Sequence, residues 1–291
     1  MRFMMFVKGS KESEAGVLPD EKILSEMGRF NEKMIKAGAM LAGEGLQASS
    51  KGARVRCSNG KVSVTDGPFA EAKELVAGFW LIQAKSLEEA VDWAKRAPFQ
   101  EGEVEIRPLF ELEDFPKDPA EKPDGWRDKE EQMRAAPPPA RRTGTIRFMG
   151  LLKGDKDTEA GVMPDEKLLA AMGFFFEEGV KSGVILSGEG LQPTSKGARV
   201  RYSGAKRTVI DGPFAESKEL VAGYAIIQAK SKAEAIEWTR RFVTVDAPGR
   251  LGSTSDCEIR QVFEIEDFPV NPAEKPGGWR DVESKLRDGT R

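Results

Sequence analysis

The sequence predicts an α+β fold in which one domain occurs twice, with helices covering one face of an antiparallel sheet in each copy. Two observations carry this. The phrase "TDGPFAEAKELVAG" from Thr65 returns as "IDGPFAESKELVAG" from Ile210, 145 positions later (211 − 66 = 145). Within each copy, stretches of two-residue hydrophobic period and stretches of helical period follow in the order strand, helix, strands, helix, strand.

The offset of 145 also aligns Arg2-Phe-Met4 with Arg147-Phe-Met149, "PDEK" at Pro19 with Pro164, and "SKGARVR" at Ser50 with Ser195. Beyond the second helix the offset becomes 153, because "PAEKP" starts at Pro119 and at Pro272. The eight extra residues fall between Thr244 and Asp256, a stretch rich in Gly, Ser and Pro that reads as a longer loop. A period near 150 is too long for a solenoid and marks duplication of a whole domain. The predicted division is a first copy over 1–116, a tail and linker over 117–145, a second copy over 146–269 and a C-terminal tail over 270–291. The Pro-rich middle of "DKEEQMRAAPPPARRTG" reads as a semi-rigid linker.

In the first copy "RFMMFV" is a short apolar strand, and Lys8-Gly9 with the acidic residues after it reads as a solvated loop. Pro19 opens a helix that places Ile23, Met27, Phe30 and Met34 on one face and ends at Gly38. "MLAGEGL" is a second strand, and "ARVRC" and "KVSVT" alternate like a hairpin around Ser58-Asn-Gly60. "LVAGFWLIQA" is a long apolar strand. A capping box at Ser86 to Glu89, repeated from Ser231 to Glu234, opens the second helix. "EVEIRPLFEL" closes the copy, with Trp93 and Trp238 in the second helices as packing residues and Trp126 and Trp279 tethering the tails. Helices cover one sheet face. The other face is also apolar, so the two copies are expected to pair within the chain, sheet against sheet, leaving room for further oligomerisation.

Composition narrows the function. A hydrophobic content of 39% and a charged content of 32% describe a globular protein and exclude a disordered chain. A net charge of −3 without a basic run gives no attraction to nucleic acid or to an anionic membrane. The apolar stretch from Leu75 to Ile82 is far shorter than the ~20 residues of a membrane span. The first residues lack a signal-peptide pattern, so a cytoplasmic location is expected. There is no histidine, and Cys57 and Cys257 hold unrelated positions, the counterpart of Cys57 being Tyr202. No metal site and no cofactor are therefore expected, and both thiols read as buried packing groups.

The repeated phrase is the candidate site. Gly67 and Pro68 shape a reversal, Asp66 can bond to backbone amides ahead of it, and Phe69 can plug an apolar slot. The two copies have drifted unevenly. From Gly43 to Phe79, 27 of 37 positions match the other copy, against 22 of 42 from Met1 to Ala42. Solvated charges have little reason to survive such drift, yet Glu44, Arg54, Arg56, Asp66, Glu71, Lys73 and Glu74 all recur, as Glu189, Arg199, Arg201, Asp211, Glu216, Lys218 and Glu219. Asp66 and Asp211 are thus the candidate catalytic pair. Glu44, Arg54, Phe69, Glu71 and Lys73, with Glu189, Arg199, Phe214, Glu216 and Lys218, are the candidate ligand-binding residues.

With "GEGL", "SKGARVR" and "DGPFAE" before "KELVAG" in that order in each half, the chain resembles the YCII-related, or DGPF, domain family. The resemblance covers Met1 to about Phe115 and Ile146 to about Phe268. It implies ferredoxin-like domains that pair as a dimeric α+β barrel, here within one chain, with a small cleft near the sheet interface. Such domains are often found beside or fused to extracytoplasmic-function sigma factors, and a few relatives are small-molecule lyases or dehalogenating enzymes. Some members are proposed to use a histidine–aspartate pair. This chain departs from that pattern, offering Glu21 and Glu166 at the helix starts. A carboxylate replaces imidazole only where burial or a like charge raises its pKa, as in a pair of Asp66 with Glu71.

Three readings follow, the last of them a structural relic whose second copy merely completes the fold. The first is a small-molecule binding or enzyme-like barrel in which Asp66 and Asp211 act as acid/base or anchor, Arg54 and Arg199 orient an anionic group, and Phe69 and Phe214 wall the cleft. The second is a regulatory or interaction module working with a sigma-factor system. The sequence leaves the substrate, and whether there is catalysis, open.

Overall fold

The computed structural model describes residues 1–69, 75–115, 125–214 and 220–268, together with Arg280 and Ser284. The first copy runs β1 (Arg2–Lys8), α1 (Lys11–Glu14), α2 (Glu21–Lys36), β2 (Met40–Gly45), β3 (Ala53–Ser58), β4 (Lys61–Asp66), β5 (Val76–Gln83), α3 (Leu87–Lys95) and β6 (Glu101–Pro108). A helix α4 (Trp126–Ala135) lies between the copies. The second runs β7 (Ile146–Lys153), α5 (Lys156–Glu159), α6 (Glu166–Lys181), β8 (Ile185–Gly190), β9 (Ala198–Ser203), β10 (Lys206–Asp211), β11 (Val221–Ala229), α7 (Lys232–Asp246) and β12 (Thr254–Gln261).

The strands form two six-stranded antiparallel sheets, ordered β10-β9-β6-β1-β5-β2 and β4-β3-β12-β7-β11-β8. Each sheet therefore contains a hairpin from the other copy. β3 pairs with β12, Val55 opposite Cys257, and β9 pairs with β6, Val200 opposite Val104. The strand alternation makes this exchange favourable. On β3, Ala53, Val55 and Cys57 are fully buried, and Val55 and Cys57 pack with Val243 of α7. On β9, Ala198, Val200 and Tyr202 join the core under α3, where the Tyr202 hydroxyl donates to the Ala94 carbonyl at 2.6 Å. Burying such a side chain contributes about 1.5–3 kcal/mol.

Alternation also splits β1 between two cores. Phe3 and Met5 face α2 and α3, while Met4 and Phe6 join Phe79, Met149, Leu151 and Tyr224 in a cluster shared by both copies. α2 starts where Asp20 accepts the Ile23 N–H at 2.8 Å, turns Phe30 and Met34 inward, and ends at Gly38, whose φ of +68° suits glycine. Short bridges tie the sheets at both ends, Leu46 to Val262 and Leu109 to Leu191.

Three sequence expectations change. The added residues after the second helix do not form one loop: α7 continues through Asp246, whose buried carboxylate takes Arg250 at 2.9 Å and the Ser255 hydroxyl at 2.6 Å, and short 3-10 turns follow. The linker begins as helix α4, held by Arg134–Glu130 at 2.8 Å one turn apart. Lys8 is not in a solvated loop; its side chain is mostly buried, with Nζ 3.1 Å from Glu105. Among the described residues no helix is long and apolar enough to cross a membrane.

Candidate functional site

The repeated phrase is a docking turn. A Cβ on Gly67 would lie 1.9 Å from the Ser49 carbonyl oxygen, and one on Gly212 would lie 1.8 Å from that of Thr194, so only glycine fits. The Phe69 N–H donates to the Ser49 hydroxyl at 3.0 Å, and the Phe214 N–H to the Thr194 hydroxyl at 3.2 Å. Arg54 stacks over the Phe69 ring at 4.3 Å and Arg199 over the Phe214 ring at 4.0 Å. Asp66 and Asp211 are exposed at the strand ends. Asp66 meets Lys232 of α7 at 2.7 Å, and Arg54 meets Glu258 at 3.0 Å. Glu71, Lys73, Glu216 and Lys218 lie outside the described residues.

Behind each turn sits a buried charge cluster built across the copies. Glu258, fully buried on β12, takes Arg54 Nε at 3.0 Å, Arg260 at 3.2 Å and Lys153 at 3.4 Å. Arg260 reaches on to Glu14 at 2.8 Å, and Glu14 accepts the Ser49 N–H at 3.0 Å. The mirror cluster centres on Glu105 of β6, with Arg199 at 2.9 Å, Lys8 at 3.1 Å and Arg107 at 3.3 Å, and Glu159 bonded to Thr194. Burial alone would raise the Glu105 carboxyl, but Lys8, Arg107 and Arg199 outweigh it and hold the pKa at about 2. Glu258 is lowered against the same burial by Lys153, Arg260 and Arg54. These carboxylates stay ionised. They hold the exchanged strands and are poor proton carriers at neutral pH.

Glu44 and Glu189 lie on the edge strands β2 and β8 and reach across to the other copy. Arg147 bonds to Glu44 and, at 2.9 Å, to Glu264. Arg2 meets Glu189 at 2.6 Å and Glu111 at 2.7 Å. Arg134 of α4 adds a second cation beside Glu189 at 2.8 Å. Burial nevertheless keeps the Glu189 carboxyl above its usual range, against Arg134 and Arg2.

Among the described members of the predicted set, Glu189 lines a cavity of about 260 Å3 in the second copy that has α6, α7, the sheet and α4 along its walls. On the edge strand β8 it pairs with Tyr224, on the sheet face opposite to Gly188 and Ala225. The cavity follows from differences between the copies. In the first copy Met5 and Trp80 stand opposite each other on β1 and β5, and Trp80 donates its indole N–H to Asn31 at 2.9 Å under α2. In the second, the same register pairs Gly150 with Ala225, and both line the cavity. Phe176, in place of Asn31, covers Gly188 as Trp80 covers Gly43, and refills part of the space. The remaining walls are mainly apolar and aromatic, among them Leu168, Met172, Phe175, Tyr224, Trp238 and Phe242. Cys257 also lines it, and burial pushes its thiol up, leaving it neutral. Sequence reasoning missed this site because it followed what the copies share. The signal was a pair of large-to-small exchanges, Met5 to Gly150 and Trp80 to Ala225, both in apolar strands.

Comparison with known proteins accords with the duplicated architecture. A stretch of 93 residues, 31% of this chain, is 38% identical to an uncharacterized protein of Rhizobium meliloti (strain 1021), covering 75% of that protein. The model of the YCII-related domain matches twice, over residues 1–113 and 147–263, and the chain belongs to the YCII-related family as a tandem duplication of its domain.

Proposed function

We propose that this protein binds a small, largely apolar molecule in the cavity of its second copy, and that its two sheets close as an intramolecular α+β barrel of paired ferredoxin-like halves. The exchange of Trp80 for Ala225, opposite that of Met5 for Gly150, carries the binding proposal, since it removes the side chains that fill the same place in the first copy. Ligand sites are typically concave and apolar with a few polar groups, and Glu189 and Arg134 supply those groups here. The barrel is supported by the shared cluster of Met4, Phe6, Met149 and Leu151 and by the bridges Leu46–Val262 and Leu109–Leu191. In this reading the Asp66 and Asp211 turns and the clusters around Glu105 and Glu258 hold the exchanged hairpins in place, and the first copy is the scaffold.

Indole is a suitable probe, because it is the group that Trp80 places in the first copy. Calorimetric titration should find one site per chain, and Ala225→Trp should abolish it while the protein stays folded. Failure of indole and related aryl compounds to bind, or equal binding by Ala225→Trp, overturns the proposal.

A further inference from the structure

Resting on the internal site just proposed, the charges and rings at its α4 end point to a ligand class: we propose that the cavity takes a protonated amine on an aromatic or branched apolar body, with the ammonium beside Glu189.

Carboxylates outnumber cations on the cavity wall. Glu130, Glu189, Asp155 and Asp157 line it, against Arg134 and Arg250. Both arginines are already engaged. Arg250 Nε sits 2.9–3.0 Å from both carboxylate oxygens of the buried Asp246. Arg134 divides itself between Glu130 at 2.8 Å, Glu189 at 2.8 Å and Glu111 at 3.1 Å. With Arg2 included, Glu111, Glu130 and Glu189 share two guanidinium groups, and Arg127 stacks on the outer Trp126 ring at 4.9 Å. An anionic ligand would have to displace one of these pairs. A cation can approach the lining carboxylates without displacing one.

The rings at the same end favour the same charge. Phe110, Phe115 and Trp126 form a run, with centroids 5.5 Å and then 5.3 Å apart, and all three line the cavity beside Glu130 and Glu189. Aromatic faces with a nearby carboxylate form the recognised environment for an ammonium group. Burial holds the Glu189 carboxyl above its usual range, with Arg134 and Arg2 acting against it. Trp126, Glu130 and Arg134 all belong to α4, so the segment between the copies supplies much of this end.

The test compares three indole compounds on the full chain at neutral pH by calorimetry: tryptamine as the cation, indole as the neutral reference and indole-3-propionate as the anion. Tryptamine is expected to bind at least tenfold tighter than indole, and the propionate more weakly than indole. Glu189→Gln should shrink the tryptamine-over-indole ratio to less than threefold. Should that variant not fold, Glu130→Gln serves in its place and should lower the ratio severalfold. If indole binds and is lost in Ala225→Trp, yet tryptamine shows no advantage or the propionate binds best, the amine assignment is overturned while the site stands. If none of the three binds, both fail.

Discussion

Gly150 and Ala225 stand directly opposite each other across β7 and β11, in the register that Met5 and Trp80 hold across β1 and β5. That pair of exchanges removes two large side chains from the space between helices and sheet. The space is lined mainly by apolar side chains and is partly open to solvent, so a larger side chain there buries apolar surface.

Partial filling should therefore stabilise. Ala225→Met adds three heavy atoms to a wall of the cavity and is expected to raise stability by up to about 2 kcal/mol while weakening indole binding at least tenfold. Thermal melting and calorimetry measure the two effects. A lower melting temperature with unchanged binding would place Ala225 away from the ligand.

The converse change should open a second site. Trp80→Ala removes a buried indole and leaves the Asn31 carbonyl without its donor, an expected loss of about 3–5 kcal/mol. The variant should take up two indoles per chain where the parent takes one, and saturating indole should restore part of the lost melting temperature. A stoichiometry that stays at one would show that the first copy collapses around the deletion.

How much of this was legible in the sequence depends on the kind of signal. The duplication, the apolar strands and the capped helices could be read directly, because identity and hydrophobic period are local properties. The exchange of β3–β4 for β9–β10 could not be read. Val55 and Cys57 alternate with Arg54 and Arg56 identically whether the hairpin joins its own sheet or the other. Persistence of charge between copies led to Arg54, Glu44 and Glu189, and these do pair in buried surroundings. It could not name their partners, since Glu258, Arg147 and Arg2 lie on the other copy. The cavity stayed hidden because it is made by residues that differ between the copies.

The exposed aspartates of the repeated turns separate the two views of the DGPF phrase. Asp66 is 72% exposed and makes a surface pair with Lys232, worth at most about 1 kcal/mol. The double variant Asp66→Asn with Asp211→Asn is expected to melt within about 3 °C of the parent, with indole affinity unchanged within twofold. Loss of binding without loss of stability would bring the phrase back into the site.

Glu105 predicts the response to acid. Its carboxylate is fully buried among Lys8, Arg107 and Arg199. These cations hold its pKa at about 2, below the ordinary 4.5, even though burial pushes the other way. Because the folded-state value lies below the unfolded one, the group binds its proton more readily in the unfolded chain. Its stabilising contribution is therefore complete above about pH 4.5 and is lost as pH falls towards about 2. Glu258 acts in the same direction in the mirror cluster. Glu105→Gln keeps the shape but strands three cations around a neutral group, so stability at pH 7 should drop by about 3–5 kcal/mol. The variant should also lose part of the pH dependence, since the proton whose uptake destabilises the parent no longer has a site. Denaturant midpoints at pH 7, 5, 4 and 3 test both points. The parent's midpoint should fall more steeply between pH 5 and pH 3 than the variant's, and parallel curves would show that Glu105 is not held ionised by this cluster.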